Sequence, residues 1–283
     1  MKNSNWYTSE NTSKKVKVLI AVKSPPYPSK SHRELVCTAG ITDTGEWIRL
    51  VPIPYRYLDE KKKYEKFDWI ELNVKKHDKD RRFETYKPTN LDDIEVKGHI
   101  GTEDKWRERK EVFKDKVEPS LCQCVENFRQ KCDEGKQYEA DSLFMIKPYE
   151  INNFIVEKDS PDWKPEWQLL FEQEPLFKEM KMKPLDKIPY KFFYEFKCCA
   201  DCPGHKLKIE DWEIYELARK YKNDPSELQE KVKAKYWKNF VKKKELYFFI
   251  GSQLQWHRRK AKNPYLIIGV FYPPKDDQLG MFS

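Results

Sequence analysis

The segment Lys197-Cys-Cys-Ala-Asp-Cys-Pro-Gly-His205 gathers three thiols and an imidazole in one short stretch. Cys199 and Cys202 stand in C-x2-C spacing, and His205 follows three residues later. Pro203-Gly204 favours a tight turn, so two thiolates and a ring nitrogen can converge on one ion. Zinc is the ion such a set takes by default, and it prefers four ligands. Cys198, adjacent to Cys199, is expected to point away. The fourth position then falls to Cys122, Cys124, Cys132, Cys37 or water. A protein ligand there makes the site structural, and water makes it catalytic. An iron–sulfur cluster drawing also on Cys122 or Cys124, or unliganded thiols at a strand end, are the alternatives. Directly downstream, Asp211 and Glu213 open a helix. They serve either as acids in metal-assisted hydrolysis or simply as favourable charges at a helix N-terminus.

Cations interleaved with aromatics form a second kind of constellation. Trp47, Arg49, Tyr55, Arg56 and Tyr57 lie on and after one strand. Trp47 and Arg49 share one face of it while Ile48 and Leu50 share the other. Bases stack on such aromatics while arginines pair with phosphates, although a core tryptophan beside a surface arginine gives the same pattern. Arg81-Arg82 forms a second basic cluster. Trp256-His-Arg-Arg-Lys260 forms a third, and its Trp256, Arg258, Arg259 and Lys260 are the preferred phosphate contacts. His257 is either a general acid or base, or one more positive charge in the patch.

These residues sit in a chain of 283 with 39% hydrophobic and 14% aromatic residues, enough to bury a core and unlike a disordered chain of equal charge. Lys+Arg 55 against Asp+Glu 47 gives a net +8, which favours a polyanionic partner if the basic residues cluster on one face. No window reaches the roughly 18 apolar residues of a membrane span, and Met1 to Lys15 lacks the apolar run of a signal peptide. Seven cysteines, three of them crowded together, suit a reducing cytoplasm better than a disulfide framework. Walker, G-x-G-x-x-G, H-E-x-x-H and G-x-S-x-G patterns are absent, so no nucleotide cofactor is expected and a serine hydrolase is improbable.

The elements that must position these groups read as α+β. Lys15 to Val22 begins with alternation and ends as a continuous apolar run. Leu35 to Ile41 and Glu46 to Val51 form a hairpin across Thr42-Asp-Thr-Gly45, and Asp68 to Val74 and Asp93 to Lys97 add two more strands. Five short strands with turn signals predict a small β-barrel over residues 15–100. Helices are expected over 103–116 and 119–134, with Pro119 in the first turn of the second, and strands over 142–146 and 152–156. The proline-rich stretch from 160 to 190 closes a helical and strap region spanning 101–190. A final α+β part, 191–274, holds the Cys/His turn, strands at 191–198, 246–250 and 265–272, and helices at 210–222 and 227–242.

Residues 275–283 form a tail after a proline stop. It places Leu279, Met281 and Phe282 close together behind Gln278, an apolar cluster that asks for a partner. Gln278-Leu-Gly-Met-Phe282 resembles the pentapeptide by which bacterial polymerases and repair proteins dock on the β sliding clamp, with Met281 in place of the usual leucine. The resemblance implies that Gln278 supplies amide hydrogen bonds while Leu279, Met281 and Phe282 fill the clamp's subsites. Leu35-Val-Cys-Thr-Ala-Gly-Ile41 followed by Trp47-Ile-Arg-Leu50 resembles proteins of bacterial conflict systems built from paired OB-type barrels, which implies a nucleic-acid-binding barrel. The expectation is a DNA-binding protein held at replication or repair sites through the clamp, in mobile-element or phage-defence biology. A metal-dependent nuclease or base-modifying enzyme, and a clamp-binding adaptor that never touches DNA, are the alternatives.

Overall fold

The computed structural model describes residues 12–30, 33–172 and 187–275. β1 (Lys14–Lys23) shows how the chain builds its core. Val16, Val18 and Ile20 point into the interior of a barrel, while Leu19 and Ala21 point outward into a second apolar cluster. The run becomes continuously apolar because both faces of the strand are covered from that point on. A register shift between Ile20 and Val22 then turns Val22 to the outer cluster.

The strands that follow are β2 (Tyr27–Ser29), β3 (Arg33–Thr42), β4 (Trp47–Ile53), β5 (Asp68–Lys76), β6 (Thr85–Pro88) and β7 (Glu95–His99). β3 and β4 form the predicted hairpin, with Gly45 at φ 91° in its turn. Gly40 of β3 lies so close to β1 that a Cβ there would stand 2.1 Å from the Leu19 carbonyl oxygen. β1, β3, β4, β6 and β5 close into a five-stranded ring, in which β4 and β6 run parallel and every other pair is antiparallel. The strand predicted over 93–97 forms as β7 but stays outside the ring, paired with the first half of β5. β6 takes its place. It is short, ends in proline and has no alternation to reveal it.

After the barrel, α1 (Glu103–Phe113) leads through β8 (Val117–Glu118) into α2 (Leu121–Asp133). The Ser120 hydroxyl caps α2 by accepting from the Gln123 amide at 3.1 Å, so Pro119 precedes the cap instead of occupying the first turn. Next come β9 (Leu143–Ile146), β10 (Glu150–Lys158), α3 (Pro165–Glu172), β11 (Tyr190–Lys197) and β12 (His205–Lys208). The chain closes with α4 (Trp212–Lys220), α5 (Pro225–Lys233), β13 (Tyr247–Ser252), α6 (Leu254–Arg258) and β14 (Tyr265–Phe271). α5 continues as a π-helical stretch, Ala234–Val241, that buries Tyr236 and Phe240.

One core holds α2, β9 to β14, α4 and α5 together, so the helical region and the last α+β part share a single interior. The sheet β14-β13-β9-β8 presents Leu143, Met145, Phe249 and Phe271 to the outer face of β1, β3 and the start of β4. α1 adds Phe113 to that interface. Among the described residues no helix is long and apolar enough to cross a membrane.

Candidate metal centre

β11 buries Tyr190, Phe192, Tyr194 and Phe196 on one face and alternates strictly. The same parity carried one step further turns the Cys198 side chain inward and Cys199 outward. The turn that follows brings Cys202 under Cys198, and Gly204 at φ 102° sends the chain back so that β12 opens on His205. Cys122 arrives from the first turn of α2. Cys122, Cys198, Cys202 and His205 thus meet with all their ligand atoms within 4.8 Å of one another. Cys198 takes the place that the C-x2-C spacing gave to Cys199. Cys199, partly buried, contributes only its carbonyl, which accepts from the Cys202 amide at 3.2 Å.

The distances decide what kind of cluster this is. Cys198 Sγ lies 3.5 Å from both Cys122 Sγ and Cys202 Sγ, and Cys122 Sγ lies 3.6 Å from Cys202 Sγ. His205 Nε2 stands 3.3 Å from Cys122 Sγ and 3.4 Å from Cys198 Sγ. A disulfide requires about 2.0 Å between sulfurs. A tetrahedral ion about 2.3 Å from each sulfur sets them about 3.8 Å apart. The cluster matches the edges of such a tetrahedron, and it can hold a metal ion. Burial pushes the Cys122 and Cys198 thiols up and holds the His205 ring neutral by lowering its pKa. At Cys202 burial is outweighed by hydrogen bonds from Cys198 and the Gly204 amide, which keep that thiol low. Thiols crowded this closely ionise together only beside a cation.

Asp211 and Glu213 lie elsewhere, at the start of α4. Asp211 caps the helix by accepting from the Glu213 amide at 3.3 Å, and burial raises its pKa to about 6 against the pull of Lys66. The Lys66 ammonium sits 3.5 Å from Asp211 Oδ2 and 3.4 Å from Glu213 Oε2, where a hydrolytic metal would have to bind. His257 is fully buried. Its Nε2–H donates to the Gln137 carbonyl at 2.7 Å, and its Nδ1 accepts from the Ser252 hydroxyl at 3.1 Å, so neither nitrogen is left for a substrate. Burial lowers its pKa to about 4, so it adds no charge to the patch beside it.

The nucleic-acid candidates divide into two groups. Trp47 packs edge-on against Phe249 and tilted against Phe113, with ring centroids 6.1 and 6.5 Å away, under the sheet of the C-terminal unit. Arg49 is buried and donates to the Ser142 hydroxyl at 2.7 Å, the Ser142 carbonyl at 3.0 Å and Thr85 Oγ1 at 3.2 Å. Arg82 is buried on Asp80 and the Ser252 carbonyl, and Arg56 is tied to Glu34. Arg49 and Arg82 are buried on the protein's own acceptors, while Trp47 and Arg56 are half-buried. Arg81, Trp256, Arg258, Arg259 and Lys260 are exposed. Arg81 caps the Tyr138 ring at 5.0 Å, Arg258 donates to the Lys79 carbonyl, and Lys260 reaches the Cys132 carbonyl at 2.7 Å.

Two family models divide the chain where the barrel ends. One, described as a domain of unknown function, DUF8757, matches residues 117–283, more than half of the chain. The chain belongs to the DUF8757 family. A second model, the domain of unknown function DUF8758, matches residues 14–115. The join falls just before β8, between the barrel with α1 and the unit that carries the Cys/His cluster. All four cluster residues lie within the DUF8757 span, so the centre belongs wholly to that unit. No curated protein matches the chain. Gln278, Leu279, Met281 and Phe282 lie outside the described residues.

Proposed function

We propose that the chain is a DNA-binding protein whose C-terminal unit is built around a structural zinc ion, and that Gln278 to Phe282 recruit it to the β sliding clamp. Zinc is the reading because three thiolates and one imidazole at tetrahedral spacing suit it. Four protein ligands leave no open position for a bound water, which favours a structural role over hydrolysis. The ring order β1-β3-β4-β6-β5, with its single parallel pair, supports an OB-type barrel. Lys66 between Asp211 and Glu213 weakens the nuclease alternative.

The observation that carries the DNA assignment is the cluster of exposed basic residues on and after α6. Arg258 binds the Lys79 carbonyl, joining α6 to the loop that carries exposed Arg81. Lys79 also lines an open groove of about 1340 Å3 on the barrel, together with Lys75 and Lys87. Asp59, Asp78 and Asp92 share that groove, with Asp78 paired to Lys87 and Asp59 and Asp92 paired to Lys62. Lys75, Lys79, Arg81, Arg258 and Arg259 then form the phosphate track, and Trp256 offers a stacking face beside it. The test is DNA binding across a salt series with the Arg258→Ala/Arg259→Ala double variant. Binding whose salt dependence drops in the variant supports the reading. Unchanged binding overturns the α6 surface, and no binding by the parent chain leaves the clamp adaptor. A clamp pull-down comparing the full chain with one ending at Asp277 tests the recruitment arm.

A further inference from the structure

A second cavity, of about 400 Å3, opens where the barrel meets the C-terminal unit, away from the Cys/His cluster and α6. Its walls are unusual in combining half-buried indoles with cations whose hydrogen bonds are only partly spent. Trp106 enters from α1 and Trp212 from the start of α4. Trp106 is held in place from behind by Phe271 and Tyr272, with ring centroids 5.6 and 5.1 Å away. Asp104, Lys105 and Trp106 all adopt left-handed backbone, at φ 49°, 52° and 67°, though none is glycine. Three such residues in succession are strained, and the surrounding rings help keep this indole where it is.

The cations are arranged around these rings. The Lys23 ammonium donates to the Tyr55 hydroxyl at 3.1 Å and the Tyr64 carbonyl at 2.9 Å, which leaves its third N–H undirected. It lies over the Tyr55 ring at 4.3 Å and the Trp212 ring at 5.4 Å. Arg109 lies flat on Phe67 at 3.7 Å and spends Nε and Nη2 on the Ile100 carbonyl. Nη2 also donates to His99 Nε2 at 3.1 Å, which fixes the His99 Nδ1–H toward Asp68 Oδ1 at 2.7 Å. Arg109 Nη1 keeps both of its hydrogens. Glu65, Asp211 and Glu213 share the cavity with Lys23, Lys66 and Arg109. Lys66 is engaged by both Asp211 and Glu213, and Glu65 is exposed at the rim. Glu213, a third exposed, can still accept from a ligand's amino group.

Flat aromatic walls, two cations with unspent donors and an acceptor carboxylate in a cavity of this size make up the recognition chemistry of a nucleotide. We propose that this cavity binds a single nucleotide, its base against Trp106 or Trp212 and its phosphate on Lys23 and Arg109. No phosphate-loop signature announces such a site in the sequence, because the lining comes from five separate segments, at 23, 65–67, 99–109, 211–213 and 272. The source is either a free mononucleotide or the unpaired end of a strand, and the same contacts serve both.

Calorimetric titration with AMP and CMP, with a short single-stranded oligonucleotide and with inorganic phosphate separates these outcomes. A mononucleotide Kd tighter than about 1 mM, weakened at least about tenfold in Lys23→Met and in Trp106→Leu, establishes a free-nucleotide site. Binding of the oligonucleotide alone with the same losses establishes a strand-end site. Each variant is first checked for a parental melting temperature. A 5-bromo-UMP photocrosslink mapped on the unaltered chain supplies a readout that depends on no variant, and attachment is expected at Trp106 or Trp212. No heat with any nucleotide overturns the proposal, as does phosphate binding as tightly as AMP, losses absent in folded variants, or a crosslink elsewhere. The Arg258→Ala/Arg259→Ala variant should bind mononucleotide as the parent does, so a failure of the α6 surface and a failure of this cavity are told apart.

Discussion

Two regions of the molecule carry the same ingredients and meet opposite fates. Trp47 and Arg49 on β4, and Trp256, Arg258 and Arg259 on and after α6, are both aromatic–basic clusters bordering a sheet. The first is covered by the protein's own C-terminal unit, where Arg49 finds three protein acceptors and Trp47 finds Phe249. The second is exposed, and its one described link, from Arg258 to the Lys79 carbonyl, leaves most of its donors to solvent. Composition is therefore silent on whether an arginine serves stability or binding. What matters is which acceptors reach it first, and on β4 two of the three come from residue 142, far away in sequence.

The largest effect should come from removing what holds the cover over Trp47 and Arg49 in place. If the cluster holds its proposed zinc, stripping it with a strong chelator, or changing Cys198→Ser, should cost the C-terminal unit more than about 5 kcal/mol. It should also uncover Trp47, read as a red-shifted tryptophan emission with far-ultraviolet signal from the barrel retained. Next in size, Arg49→Met removes the cation that donates to Ser142, whose amide and hydroxyl in turn donate to the buried Glu84 carboxylate at 2.8 Å, and should cost about 3 kcal/mol, lowering the melting temperature by roughly 10 °C. The folded fraction should bind DNA as before.

His257 sharpens the contrast through pH. Its folded pKa of about 4 lies below the ordinary value of 6.5, so the unfolded chain takes up the proton first. Its contribution is intact above pH 6.5 and falls by about 3 kcal/mol as pH drops to about 4. Denaturant melts should show that slope in the parent and lose it in His257→Gln. On the exposed side, Arg258→Ala/Arg259→Ala should leave stability within about 0.5 kcal/mol while lowering the salt slope of DNA binding by about 2. The smallest effect belongs to Cys199→Ser, which should leave both metal content and melting unchanged, in contrast to Cys198→Ser.

Much of the barrel was legible because strand alternation is local. The β3–β4 hairpin, the mixed pattern of β1 and the clean alternation of β5 were all readable from neighbours along the chain. β6 was not, because four residues ending in proline carry no period. The cluster was half legible. Cys202 and His205 were named from spacing and Cys122 was among the candidates for the fourth ligand, but spacing chose Cys199 where strand parity chooses Cys198. Extending the buried positions 190, 192, 194 and 196 by one step supplies the missing signal. The second cavity was not legible as a site. Asp211 and Glu213 were singled out, but Lys23, Lys66, His99 and Arg109 are brought to them only by the docking of the two units.

The Cys122 and Cys198 thiols, side by side in space, are 76 positions apart along the chain. As the polypeptide leaves the ribosome, Cys122 emerges long before the hairpin that completes its coordination sphere. An ion held by these four residues would be captured only once residue 205 has emerged, well after the barrel, residues 14–99, has cleared the exit tunnel.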